Sequence, residues 1–414
     1  MQAADLRPVP DAEKTQSPVD LFLILGGANL VATTLQTGAS LAGPFGLKEA
    51  LVLIAVGVPA GTALVASLAP LGPRLGVPSV VACRAALGPR GGALVSLVLY
   101  LTNFAWIAVN NVIAASACAR LAGGPGSERW WALGLGLLAA AVVAGGPRVV
   151  GRADRVAVPL LLVIGGILTA ACLKLPAAVT AAPGAGGMPV FRSLDVVIGY
   201  QVSWLLVFGD YPRYTRSPRK AAAAVFLALA LTSLWFLPVG FACARAAGSA
   251  RPGAMLEAAG VGALGAVLLA VATLTTNFVN IYMSALAWKS LVPGARDRLS
   301  VLAIGVIGAL LSLLSGWIER YADFMLLLGG ALVPVGGVLV ARFFLSGRPV
   351  NVADLYDGGG ASRTGGFALP GMCGWAAGAA AYFLAGSIGG TLPALATALL
   401  VTWGLSRALP DSGA

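Results

Sequence analysis

Charged side chains in this chain fall between long apolar runs and almost never inside them. Twelve such runs follow one another, at about 20–42, 49–72, 91–117, 130–146, 156–174, 193–211, 221–246, 259–288, 299–317, 322–345, 367–386 and 389–406. A helix needs roughly 20 apolar residues to cross a hydrocarbon core of about 30 Å. In hydrocarbon every backbone polar group must find its partner within the chain, and helices do this one segment at a time. The pattern therefore predicts an all-α polytopic membrane protein. With 58% hydrophobic residues, 10% charged residues and a mean hydropathy of +0.88, the composition does not suit a soluble domain of 414 residues. Several runs exceed the minimum length, which predicts tilts or kinks. The run at 130–146 is short and is expected to pack at an angle.

Lys and Arg set the expected orientation. With the N-terminus in the cytoplasm, inside segments hold 19 of the 27 positive residues, among them Arg7, Arg74, Arg84, Arg152, Arg213, Lys220, Arg296, Arg342 and Arg407. The opposite side holds the other eight, including Lys48, Arg120, Lys174 and Arg251. Both termini are thus expected in the cytoplasm of a multi-pass plasma (inner) membrane protein. The net charge of +11 is dispersed among short loops, which does not suit a nucleic-acid partner. Residues 1–19 are polar and mixed in charge, and the first run is too long and polar for a signal sequence.

Enzymatic chemistry finds few carriers here. Histidine is absent, which removes the usual metal ligand and the usual base near neutral pH. Asp195, Asp210, Glu319 and Asp323 fall near the expected membrane surfaces, so no carboxylate is placed for a mid-membrane proton relay. The five cysteines (Cys83, Cys118, Cys172, Cys243 and Cys373) show no paired spacing and read as small packing residues. No enzyme and no cofactor are expected.

Uncharged polar residues do enter the runs, in four of them. The first contains Gly26-Gly27-Ala28-Asn29 and then Thr33-Thr34-Leu35-Gln36-Thr37. Gly weakens a helix, and an amide without a partner costs several kcal/mol in hydrocarbon. A helix broken near mid-membrane, its carbonyls turned to a ligand, is one reading; close packing of small residues is the other. The sixth run has Gly199-Tyr200-Gln201-Val202-Ser203-Trp204. Irregularity in the first and sixth runs is what two inverted five-helix repeats around a central substrate would give. In the third run Trp106 and Asn110 share a helical face, an aromatic platform beside an amide that suits a flat heterocycle. The eighth run carries Thr275-Thr276-Asn277 and Asn280, where adjacent hydroxyls offer oxygens to a monovalent cation or bond back to their own helix.

Together these residues resemble the nucleobase–cation symporter-1 family, the cytosine, purine, hydantoin and allantoin permeases. The resemblance covers most of the chain. It is carried by Trp106 with Asn110, by Trp204 followed by Asp210-Tyr211-Pro212-Arg213-Tyr214, by Thr275-Thr276-Asn277, by Pro334 through Arg342-Phe343-Phe344, and by Asp354-Leu355-Tyr356 with Gly366-Phe367-Ala368-Leu369-Pro370. It implies a LeuT-type inverted-repeat core of ten helices plus two more, twelve in all, working by alternating access. Divided accordingly, 1–19 is a cytoplasmic segment, 20–345 the transport core, 346–366 a cytoplasmic loop, 367–406 the two additional helices and 407–414 a cytoplasmic tail. By the resemblance, Trp106 and Trp204 stack on a planar base, Asn110 and Asn277 bond it, and Gln201, Ser203, Asn280, Asn29 and Gln36 are further candidates to reach it. A sodium site is implied at the hydroxyls of Thr275 and Thr276 with the carbonyl of Ala272 and two first-span carbonyls, drawn from Gly27, Leu30 and Ala32. Asn280 stands three residues after Asn277, where the family often has four. The expected function is sodium-coupled symport of a nucleobase or related heterocycle by a monomer embedded in the bilayer. An amino-acid carrier of the same core, or a proton-coupled or uncoupled nucleobase carrier, is the alternative. A channel is disfavoured because the polar residues converge on one depth instead of lining a path.

Overall fold

The computed structural model describes residues 6–145, 147–174, 179–180, 187–356 and 366–409. Each of the twelve predicted runs carries a helix. Among the described residues six helices are long and apolar enough to cross a membrane, and a bent pair in the first run makes a seventh span. Three other runs hold shorter helices, Glu128–Ala144, Asp297–Leu311 and Leu369–Leu384. Leu23, Val52, Val56, Leu101, Leu138 and Leu231 lie exposed on the outer faces, an apolar surface that lipid can cover.

Several boundaries move from their predicted places for identifiable reasons. The third span runs over Arg84–Leu121, starting before residue 91, with Gly88 alone in a non-helical conformation at φ 78°. A Cβ there would lie 2.5 Å from the carbonyl oxygen of Gly366, so only glycine lets the loop before the eleventh span press against this corner. The amide of Arg90 donates to that same carbonyl at 3.0 Å. In the sixth span regular helix stops at Val202 instead of near 211, and short 3-10 turns follow at Leu205–Val207 and Pro212–Tyr214. The tenth span keeps helix through Pro334 and ends in a π turn over Ala341–Leu345. Its glycine pairs serve packing: a Cβ on Gly329 or Gly330 would lie 2.5 Å from the Tyr382 hydroxyl or the Phe383 ring of the eleventh span.

Helix contacts sort eight of the first nine spans into two groups. Spans one, two, six and seven pack together, as do spans three, four, eight and nine. Each span thus sits in the same group as the one five later, which is the arrangement of a five-plus-five repeat. The tenth span packs on the sixth, and the eleventh and twelfth pack on the tenth and on each other. Asp195 ties the additional helices to the core: its carboxylate accepts the amides of Gly390 at 2.6 Å and Thr391 at 3.1 Å and the Thr391 hydroxyl at 2.7 Å. The start of the twelfth span is thereby capped by a buried side chain of the sixth.

Candidate functional site

The first span starts at a capping box of Ser17 and Asp20 with Pro18 in its first turn, and is helical over Pro18–Asn29. It resumes at Ala32–Ala39, bent by 57°. Leu30 and Val31 between them leave the helical region, with ψ of 69° and 168°, and Val31 is extended. The two glycines lie inside the first half, so the break is set elsewhere. Asn29 holds it. Its amide nitrogen donates to the hydroxyls of Thr232 and Ser233, both at 2.8 Å, and to the Leu229 carbonyl at 3.3 Å, all in the seventh span. Its amide oxygen accepts from the Tyr200 hydroxyl and the Trp204 indole nitrogen, each at 3.1 Å, in the sixth. The Thr34 hydroxyl donates across the break to the Asn29 carbonyl. Among the described residues no main-chain amide bonds the carbonyls of Gly27, Ala28 or Leu30.

Beside this break lies a cavity of about 70 Å³. Its walls are Ala28 and Val31 at the break, Asn103 and Trp106 of the third span, Tyr200, Ser203 and Trp204 of the sixth, and Thr276, Asn280 and Met283 of the eighth. No ionisable acid or base of the Asp, Glu, Lys, Arg kind is among the lining residues. Trp106 meets the rings of Tyr200, Phe324 and Tyr321 edge-on, with centroids 6.2, 5.1 and 6.4 Å away. Tyr321 is itself fixed on the second half of the first span, donating to the Thr33 carbonyl at 2.9 Å and meeting the Thr37 hydroxyl at 2.8 Å.

The sequence-predicted residues divide into those at the cavity and those behind it. Trp106, Ser203, Trp204, Thr276 and Asn280 line it. Asn29 and Gln201 stand behind, fully buried in a polar network; Gln201 accepts from Thr62 at 3.1 Å and donates to Ser233 at 2.9 Å. The Ser203 hydroxyl donates to the Tyr200 carbonyl at 2.6 Å. Asn277 faces the third span, donating to Asn111 at 2.7 Å, and only a 3.5 Å contact from Asn280 links it to the cavity wall. Asn110 is wholly buried, and neither end of its amide has a partner among the described residues. Gln36 lies in a second, much smaller cavity with Ile113, Leu168 and Cys243. Thr275 is buried one residue before Thr276, Gly27 is buried in the first half-helix and Leu30 is at the break. The surroundings of Ala272 fall outside the described residues.

Sequence reading missed Asn103, Tyr200, Tyr321 and Phe324. Asn103 precedes Trp106 by three residues and so shares its face, a signal available from spacing. Its amide nitrogen is buried without a partner among the described residues, leaving a donor at the cavity. The three rings could not be found that way, because what brings them to Trp106 is the packing of three distant spans.

A broken first span meeting an irregular sixth across a neutral cavity, between two four-helix groups, defines a LeuT-type membrane transporter and not an enzyme. The sequence profile of the family described as permease for cytosine/purines, uracil, thiamine, allantoin matches residues 8–405. The chain belongs to this family. The cytosine permease of Escherichia coli (strain K12) is 23% identical over 354 residues, spanning 82% of this chain and 81% of that protein. Among solved structures, Mhp1, a nucleobase-cation-symport-1 family transporter in a closed conformation with bromovinylhydantoin bound, superposes with a TM-score of 0.83 at 21% identity, covering 97% of this chain and 94% of its own. MhsT in complex with L-phenylalanine shares the fold more distantly, with a TM-score of 0.57 at 14% identity over 93% of this chain and 98% of its own.

Proposed function

We propose that this permease carries a planar, uncharged heterocycle of the nucleobase or hydantoin type by sodium-coupled alternating access. One observation carries the substrate class: the cavity is neutral, walled by two indoles, and offers the amides of Asn103 and Asn280 at its edge. Stacking on indole and hydrogen bonds to ring edges suit a flat heterocycle. A zwitterionic amino acid would leave its charges facing aromatic rings. The bromovinylhydantoin bound by Mhp1 has the kind of ring this reading requires.

The case for sodium rests on oxygen atoms. The carbonyls of Gly27 and Leu30 have no main-chain donor among the described residues, and Thr276 lies on the same cavity beside Thr275. Together with the carbonyl of Ala272 they are the donors we assign to the ion, which would draw the first span onto the eighth. Ion and base then strengthen one another's binding by equal free energies, as linkage requires. Asn29 enters this scheme as a positioning residue: it holds the Trp204 indole and the break in a single network. In the cell both termini face the cytoplasm, the protein acts as a monomer in the bilayer, and residues 20–345 form the transport core with 367–406 as its flank.

The test is thermal stabilisation of the purified protein by nucleobases, hydantoins and amino acids, in sodium or in potassium. A ligand at about 100 times its Kd stabilises the folded form by about 2.7 kcal/mol. One heterocycle should raise the unfolding temperature, more in sodium than in potassium, and Trp106→Ala should abolish the shift. Stabilisation by an amino acid alone, or a heterocycle shift untouched by Trp106→Ala, would refute the reading.

A further inference from the structure

We propose that Cys172 and Cys243 form a redox-active pair whose disulfide ties the outer end of the fifth span to the seventh. The two residues stand 71 positions apart, yet their sulfurs are 3.1 Å from one another. Both are free thiols here. A disulfide bond is about 2.0 Å long, so about 1 Å of closure separates this contact from a covalent link. The pair is also asymmetric in the way exchange chemistry needs. Cys172 is partly exposed and can meet an oxidant, whereas Cys243 is buried behind it and can resolve the intermediate.

The site lies where a tie has mechanical consequence. Three residues before Cys243, a Cβ on Gly240 would lie 2.0 Å from the Leu35 carbonyl, so the seventh span here is pressed onto the second half of the first. The fifth span also packs against the eighth, which belongs to the other four-helix group. A Cys172–Cys243 link would therefore couple the fifth span to the first–seventh unit and restrain its movement between the groups. On the orientation set by Lys and Arg, both thiols face the outer side, where disulfides persist.

The chemistry balances with a small disulfide such as oxidised glutathione as oxidant. The Cys172 thiolate attacks one sulfur of the oxidant and expels one glutathione thiolate, leaving a mixed disulfide. The Cys243 thiolate then attacks the Cys172 sulfur and expels the second. Two cysteine thiols are oxidised, one glutathione disulfide is reduced to two thiols, and the two protons pass to the glutathione thiolates.

The experiment treats membranes holding the full chain with oxidised glutathione, then denatures the protein and alkylates every remaining thiol. Of the five cysteines, two fewer should react, with a reducible Cys172–Cys243 peptide as the product. Cys172→Ser and Cys243→Ser should each prevent that link, while Cys83, Cys118 and Cys373 stay alkylated in every sample. Amide hydrogen exchange in the outer half of the fifth span should slow on oxidation and recover with reductant. Five alkylated thiols after oxidation, a glutathione adduct that stays on Cys172, or unchanged exchange in the linked protein would each overturn the proposal. None of these readouts depends on which solute the protein carries.

Discussion

Replacing Asn29 with alanine should damage both folding and ligand binding, because one side chain joins three spans. It makes five hydrogen bonds, two of them at 2.8 Å to Thr232 and Ser233 and two at 3.1 Å from Tyr200 and Trp204. Several partners keep a second contact after truncation. Thr232 still donates to the Ala228 carbonyl, Ser233 still accepts from Gln201, and Tyr200 still meets Thr34. The Trp204 indole loses the partner found here, though it borders the cavity, where water can reach it. Counting about 1 kcal/mol for each of the two short bonds, and from nothing up to about 2 kcal/mol for any stranded group, gives a loss of roughly 2–4 kcal/mol. That is about 30- to 700-fold in the folded-to-unfolded ratio. The assay is thermal unfolding of the purified variant beside the parent, with heterocycle stabilisation measured on both. Asn29→Ala should unfold at clearly lower temperature and show no heterocycle shift. A variant as stable as the parent and still stabilised by the same ligand would refute the claim that this network sets the break and the indole.

Other substitutions separate ligand contacts from framework. Asn280→Ala removes a cavity-lining amide whose hydrogen bond to Asn277 is 3.5 Å long, so it should abolish or weaken heterocycle stabilisation while moving ligand-free stability by less than about 1 kcal/mol. Asp195→Ala deletes three short bonds to the start of the twelfth span and should cost about 1–3 kcal/mol in unfolding, with heterocycle affinity little changed. Gly38→Ala would put a methyl 1.9 Å from the Leu237 carbonyl, and should sharply reduce the yield of monodisperse protein in size-exclusion chromatography; a normal yield would show that the first and seventh spans can separate at low cost.

The architecture was largely legible because the bilayer imposes it: charge exclusion from runs of about 20 residues leaves a helix as the only backbone solution. Trp106, Ser203, Trp204, Thr276 and Asn280 were legible for a related reason, since polar or aromatic side chains deep in an apolar run need a purpose. What escaped was which polar residues face the cavity and which face each other. Asn29, Gln201 and Asn277 look as available as Asn280 in sequence, yet partners far along the chain occupy them. The position of the break was likewise hidden, because the conspicuous glycines are helical and the amide of Asn29, two residues after them, holds the bend. The cysteines illustrate the same limit: no spacing pairs Cys172 with Cys243, but the fifth and seventh spans do.

The central claim concerns coupling, and uptake into proteoliposomes tests it most directly. Purified protein is reconstituted, and accumulation of a labelled heterocycle chosen by thermal stabilisation is followed with sodium outside and potassium inside. The account predicts accumulation above equilibrium that collapses when sodium is equal on both sides and is absent in Trp106→Ala. Heterocycle movement that only equilibrates, whatever the sodium gradient, would contradict it.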